Sequence, residues 1–172
     1  MRCKIALYKI FNGPFPTTAT QVAITTGTSI KTMLQVKGIA ALQMKVKAWG
    51  VSMDGSAAAA GVQWELLETG TVFATVTASV AADILAWDAQ AIASVSTTYF
   101  SVGVSATGYT ASAEGTITAS RIFDSQFVQP TGQYVWEFSL GNEPIVSAVS
   151  SLRIRCKAAA AVNAACWMLL EV

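Results

Sequence analysis

The stretch Gln43-Met44-Lys45-Val46-Lys47-Ala48-Trp49 decides the fold class. Its residues alternate, with Lys45 and Lys47 on one side and Met44, Val46 and Ala48 on the other. Successive side chains of an extended chain point to opposite faces, so this period of two predicts a half-buried β-strand. The run continues to Met53, where Asp54-Gly55 supplies a turn.

The pattern recurs in both directions. Toward the N-terminus it predicts strands at 3–10 and 32–37. Toward the C-terminus it predicts 62–69 and 71–80, hinged at Gly70, then 97–104, 115–123, 133–140, 152–157 and 163–172. Turn clusters such as Asn12-Gly13-Pro14 and Gly141-Asn142-Glu143-Pro144 separate them. Val, Ile, Thr and aromatic residues fill the strand positions, as a pleated, half-buried surface favours. Only 81–93 invites a helix of a turn or two, with Asp83 as a cap. No repeat and no linker-like shift in composition divides the chain, so 1–172 is expected to be a single domain. The expected fold is all-β, an antiparallel β-sandwich of about eight to ten strands. Long connections fit a double-sheet jelly roll. An immunoglobulin-like sandwich would need a Cys…Trp…Cys spacing that the sequence lacks.

Composition narrows the function. Charged residues are 12% of the 172, the net charge is +1, histidine is absent and mean hydropathy is +0.48. So little charge leaves a neutral surface that keeps molecules apart poorly, which implies a partner. Without imidazole there is no histidine base, histidine metal ligand or switch near neutral pH. The near-neutral balance argues against nucleic acid. The uncharged stretches 10–30 and 89–113 are long enough to span a bilayer, but prolines and hydroxyl residues fill them, so no membrane segment is expected. Four uncharged residues between Lys4 and Lys9 are too few for a signal peptide. A soluble protein made in the cytoplasm is the expectation.

Cys3, Cys156 and Cys166 are an odd set for a reducing compartment. A hairpin about Ala161 would set Cys156 opposite Cys166 and permit a bridge, although their shared apolar face favours two buried thiols. Neither zinc-ligand spacing nor a phosphate-cradling glycine motif occurs. Glu65 and Glu68 are three apart, which sends them to opposite faces of a strand. Serine and cysteine lack a histidine partner for nucleophilic catalysis. No enzyme, cofactor or metal is expected.

Candidate contact residues come from the strand faces. Arg153, Arg155 and Lys157 project from one face, with Leu152, Ile154 and Cys156 on the other. A solvated outer face explains this row most simply, and a contact with an acidic neighbouring subunit is the sharper reading. Lys45 and Lys47 pose the same choice. Trp49 is expected to share their face, and Trp167 lies opposite Cys166 and Met168, so both tryptophans are candidates for a contact between subunits. Most of the five tryptophans are expected in the core or on a sheet face. An exposed tryptophan would alternatively suit a sugar.

Further stretches carry a resemblance. Gly50-Val51-Ser52-Met53-Asp54-Gly55-Ser56 with its alanine run, Glu65-Leu66-Leu67-Glu68-Thr69-Gly70, Ala106-Thr107-Gly108-Tyr109-Thr110-Ala111, Glu114-Gly115-Thr116-Ile117-Thr118-Ala119 and Leu152-Arg153-Ile154-Arg155 resemble small virion structural proteins of tailed bacteriophages. The resemblance runs from about Lys4 to Glu171 and transfers no functional residues. It implies a jelly-roll subunit that decorates or cements a capsid, commonly as a trimer, with the major capsid protein as partner and the virion surface as its place. A carbohydrate-binding tail or baseplate module is the alternative.

Overall fold

The pairing of strands follows one rule: the chain goes out and comes back along itself. A computed structural model describes residues 6–16, 18–39, 42–56, 58–88 and 96–172. The outgoing arm carries β1 (Leu7–Phe11), β2 (Ile24–Thr25), β3 (Ile30–Lys37), β4 (Met44–Asp54) and β5 (Val62–Glu68). The returning arm carries β9 (Arg121–Val128), β10 (Gln133–Glu137), β11 (Ile145–Val146), β12 (Ser151–Lys157) and β13 (Asn163–Glu171). Leu7 of β1 pairs with Glu171 of β13, Lys37 of β3 with Ser151 of β12, Ser52 of β4 with Gln133 of β10, and Val62 of β5 with Val128 of β9. All four pairings are antiparallel, and the two-residue strands β2 and β11 obey the same rule against β13 and β4.

This two-ply ribbon then curls until β13 meets β4 and β12 meets β5. Two antiparallel sheets result, one ordered β10-β4-β13-β1 and the other β3-β12-β5-β9. The strands β6 (Thr75–Ala78), β7 (Ile84–Ala86) and β8 (Gly108–Ala113) come from the far end of the ribbon. They extend the sheets, β7 beside β1 and β8 beside β3. The molecule is an all-β sandwich, as the alternation predicts.

Inward residues of both sheets form the core. Tyr8, Ile10, Trp49, Trp64, Leu66, Ile154 and Met168 are among those wholly shielded from water. Burying one such aliphatic side chain contributes roughly 1.5–3 kcal/mol.

Three expectations fail locally. The 97–104 run forms a helical turn, Ser96–Tyr99, and a lone bridge from Phe100 to Gly38. Phe100 packs edge-on against Tyr8 at 5.4 Å, so its apolar character serves the core and not a ladder. The 115–123 strand begins only at Arg121. Gly115 holds φ at +73°, where an extended strand cannot run. The 71–80 strand shrinks to Thr75–Ala78. Of the helix expected over 81–93, the described part is a 3-10 turn, Ala81–Asp83, followed by β7, while 89–93 lie outside the described residues. Asp83 does act at that turn, accepting from the Val80 N–H at 2.8 Å. Nor do Cys156 and Cys166 sit in one hairpin: β12 and β13 belong to different sheets, and both thiols are free and buried in the core between them. Burial pushes the Cys156 thiol up to about 12 and that of Cys166 well above its usual value.

Candidate functional site

Lys47 is where the leading strand departs from strict alternation. Leu169 pairs with Ala48 and Leu170 with Val46, so Lys47 is an extra residue in a β-bulge. The bulge shifts the register after it and turns Trp49 inward. The expected face shared by Lys45, Lys47 and Trp49 therefore does not exist. Trp49 is fully buried and donates its indole N–H to Asp124 at 3.1 Å.

Lys45 and Lys47 remain together through Glu171, whose carboxylate lies 3.2 Å from one ammonium and 3.4 Å from the other. Lys47 also binds Glu143 at 2.5 Å, which draws that carboxyl down to about 2 and raises Lys47. Both lysines are thus neutralised by their own chain.

The second row departs further. Arg153 is not on a solvated face. It is completely buried under residues 72 and 114. Its guanidinium donates to the Glu114 carbonyl at 3.0 Å, the Glu114 carboxylate at 3.3 Å, Ser151 Oγ at 3.2 Å and the Val72 carbonyl. Beside it Gln35, also buried, spans the Ala74 N–H and the carbonyls of Ala74, Ser105 and Ala106. Residues folded back from the ribbon's far end cover this outer face and satisfy its polar groups, as buried groups require. Arg155 pairs with Glu65 at 2.6 Å, while Lys157 is exposed. Glu68 is likewise held by Arg121 and the Ser147 N–H. Burial would raise its pKa, but hydrogen bonds from Ser150, Arg121 and Ser147 outweigh that and lower it.

Trp167 does face outward, and it does so within an aromatic group. Its ring covers Gly50, where a Cβ would come within 2.9 Å of the indole. The Lys9 ammonium lies 3.9 Å from the Trp167 ring, 5.0 Å from Trp87 and 5.4 Å from Phe11. Phe15 packs at a tilt against Phe11, with ring centroids 4.9 Å apart. Partial burial lowers the pKa of Lys9. This cation–π cluster decorates the outer face of the β1 sheet.

The seven expected contact residues are therefore scattered over a core position and two outer faces. A different surface stands out. Edge strands β9 and β10 run along one flank of the sandwich, joined by the turn between them. Asp124 of β9 bridges them inside, accepting from Tyr134 at 2.7 Å as well as from Trp49. Ile122 and Phe127 of β9, Val135 and Trp136 of β10 and Ile145 of β11, which pairs with β4 as β10 does, are exposed. These are five of the thirteen large apolar side chains exposed among the described residues, which makes this flank an apolar surface. No protein-family model matches the chain, and no curated protein or solved structure matches it.

One sign of this flank was present in the sequence. Tyr134-Val135-Trp136 is apolar at consecutive positions, so both faces of that strand carry apolar groups. Asp124 gave no such sign, because its role depends on a neighbour from the other sheet. Among the described residues no three Cys, Asp or Glu side chains cluster in a way that could hold a metal. Among them too, no helix is long and apolar enough to cross a membrane.

Proposed function

We propose that the chain is a non-enzymatic structural subunit that decorates or cements the capsid of a tailed bacteriophage, working as a homo-oligomer, a trimer, against the major capsid protein. The exposed apolar flank of β9 and β10 carries this reading: five large apolar side chains left on the strands of one edge of a nearly neutral molecule fit a surface that assembly covers. Obligate contacts are more apolar than transient ones, and a shell protein makes contacts of that kind. The strand orders β1-β13-β4-β10 and β3-β12-β5-β9 support a jelly roll, the outcome expected when a two-ply antiparallel ribbon is wrapped into two sheets. The resemblance noted above supplies the capsid setting.

The test is binding of purified protein to phage capsids that lack it, followed by sedimentation and a density map. Copies at regular lattice positions, with capsids that survive heating better, are the expected result. Failure to sediment with capsids would overturn the capsid role, and a monomer at micromolar concentration would overturn the oligomer.

A second reading, a carbohydrate-binding tail or baseplate module, draws on one observation. Trp87 is exposed next to Asp88 and beside Trp167, an arrangement suited to stacking on a sugar ring. Glycan-array binding that disappears in W87A would favour it over the capsid role.

A further inference from the structure

The free edges of the two sheets differ in how they are protected. On one flank, β7 is three residues long and β6 four, with two register irregularities. On the other, β9 carries a bulge opposite Leu66 and Leu67, together with Arg121 and Asp124. Short length, bulges and charges are the devices that keep sheet edges from pairing with other chains. β10 has no bulge, and its one charge is Glu137 at its end. It is regular over Gln133–Glu137, contains no proline or lysine, and leaves Val135 and Trp136 about half exposed.

Its backbone is poised in a definite way. Gly132 accepts from the Met53 N–H at 3.1 Å, and the Phe138 N–H donates to Lys47 at 2.9 Å. Even-numbered residues therefore form the hydrogen-bonded pairs with β4. In an antiparallel ladder the residues between them turn their N–H and C=O groups the other way. Gln133, Val135 and Glu137 accordingly present three donors and three acceptors to the open edge.

We propose that this edge pairs with the β10 edge of a second copy, antiparallel about a two-fold axis at Val135, so that the β4 sheets of two molecules become continuous. The choice of a second copy rests on self-complementarity. In this register each Gln133 faces the partner strand's residue 137, an amide opposite a carboxylate, and no like charges meet. Each Tyr134 faces residue 136, the close non-hydrogen-bonded pair in which aromatic groups stabilise best. About six backbone hydrogen bonds form across the axis. The contact stands on the edge alone, apart from where the protein works.

The experiment measures copy number for the full chain by sedimentation equilibrium up to about 100 µM, together with amide exchange. Wild type is expected to show an even number of copies, two or six, with the Val135 and Glu137 amides protected more as concentration rises. Q133E sets two carboxylates opposite one another twice, and roughly tenfold weaker association follows from like charges across a ladder. Q133E/E137K puts unlike charges in register and restores association. V135P removes an open-edge N–H, which edge strands tolerate, and should abolish pairing while the monomer stays folded. A wild-type protein that stays a monomer or a trimer alone, or a Q133E variant that associates normally, would overturn the proposal. A trimer alone would leave the capsid reading standing.

Discussion

Tyr134 and Asp124 belong to different sheets, yet the phenol donates to the carboxylate at 2.7 Å and closes the open flank of the sandwich. Trp49 donates to the same oxygen, so one carboxylate oxygen ties β4, β9 and β10 together. Burial and the bond to Asp124 both raise the Tyr134 pKa, so the phenol stays protonated and keeps donating. Removing the acceptor strands two donors. D124A should cost about 2–3 kcal/mol of unfolding free energy and Y134F about 1 kcal/mol, with D124N in between. Urea unfolding monitored by circular dichroism checks the order.

Arg153 is a buried cation whose partners, apart from Ser151 on its own strand, come from covering segments. R153A takes the guanidinium from the Val72 and Glu114 carbonyls and leaves the Glu114 carboxylate, held then by Thr32, without its cation, and should destabilise by about 3 kcal/mol. R153K keeps the charge but loses the fork that reaches both Val72 and Glu114, so it should rescue only part of the loss. Loss of protection at the Ala74 amide in hydrogen exchange would locate the damage, because Gln35 next to Arg153 holds that amide at 2.8 Å.

Gly50 has no room for a side chain under Trp167. G50A should cost about 1–3 kcal/mol, the range for overpacking. Combining it with W167A should cost less than the two single changes added together, because the clash is then gone. Thermal unfolding of the four proteins in the cycle measures this coupling.

Glu143 supplies an acid signature. Lys47 depresses its pKa in the folded state to about 2, against an ordinary value of 4.5. A group whose folded pKa is lowered contributes stability that is fully present above the unfolded value and is lost as pH falls through the folded one. Midpoint temperatures should therefore drop between pH 4.5 and about 2. E143Q should begin lower and show a shallower drop over that window in calorimetry.

The strands legible in the sequence are those where packing and alternation agree. β3, β4, β5, β12 and β13 fall where the period of two put them, because each has one face on the core. The far end of the ribbon was unreadable, since its threonine, alanine and serine residues suit strand and loop alike. There the register is set by contacts such as Gln35 with Ala74 and Arg153 with Glu114, which join residues 39 apart in each case. Trp49 was misassigned for a smaller reason. One bulged residue inverts the faces that follow it, and strict alternation carries no mark of a bulge.

The order in which the ribbon closes bears on how the protein is made. β13 lies at the centre of its sheet, between β4 and β1, and its Glu171 must reach Leu7. A growing chain therefore displays β1 and β4 without their shared neighbour until the ribosome has delivered residue 171. Contacts this distant along the chain make for slow folding and long exposure of unpaired edges. Completion waits for that one strand, and the interval before it is when the nascent chain most needs shielding from its own siblings.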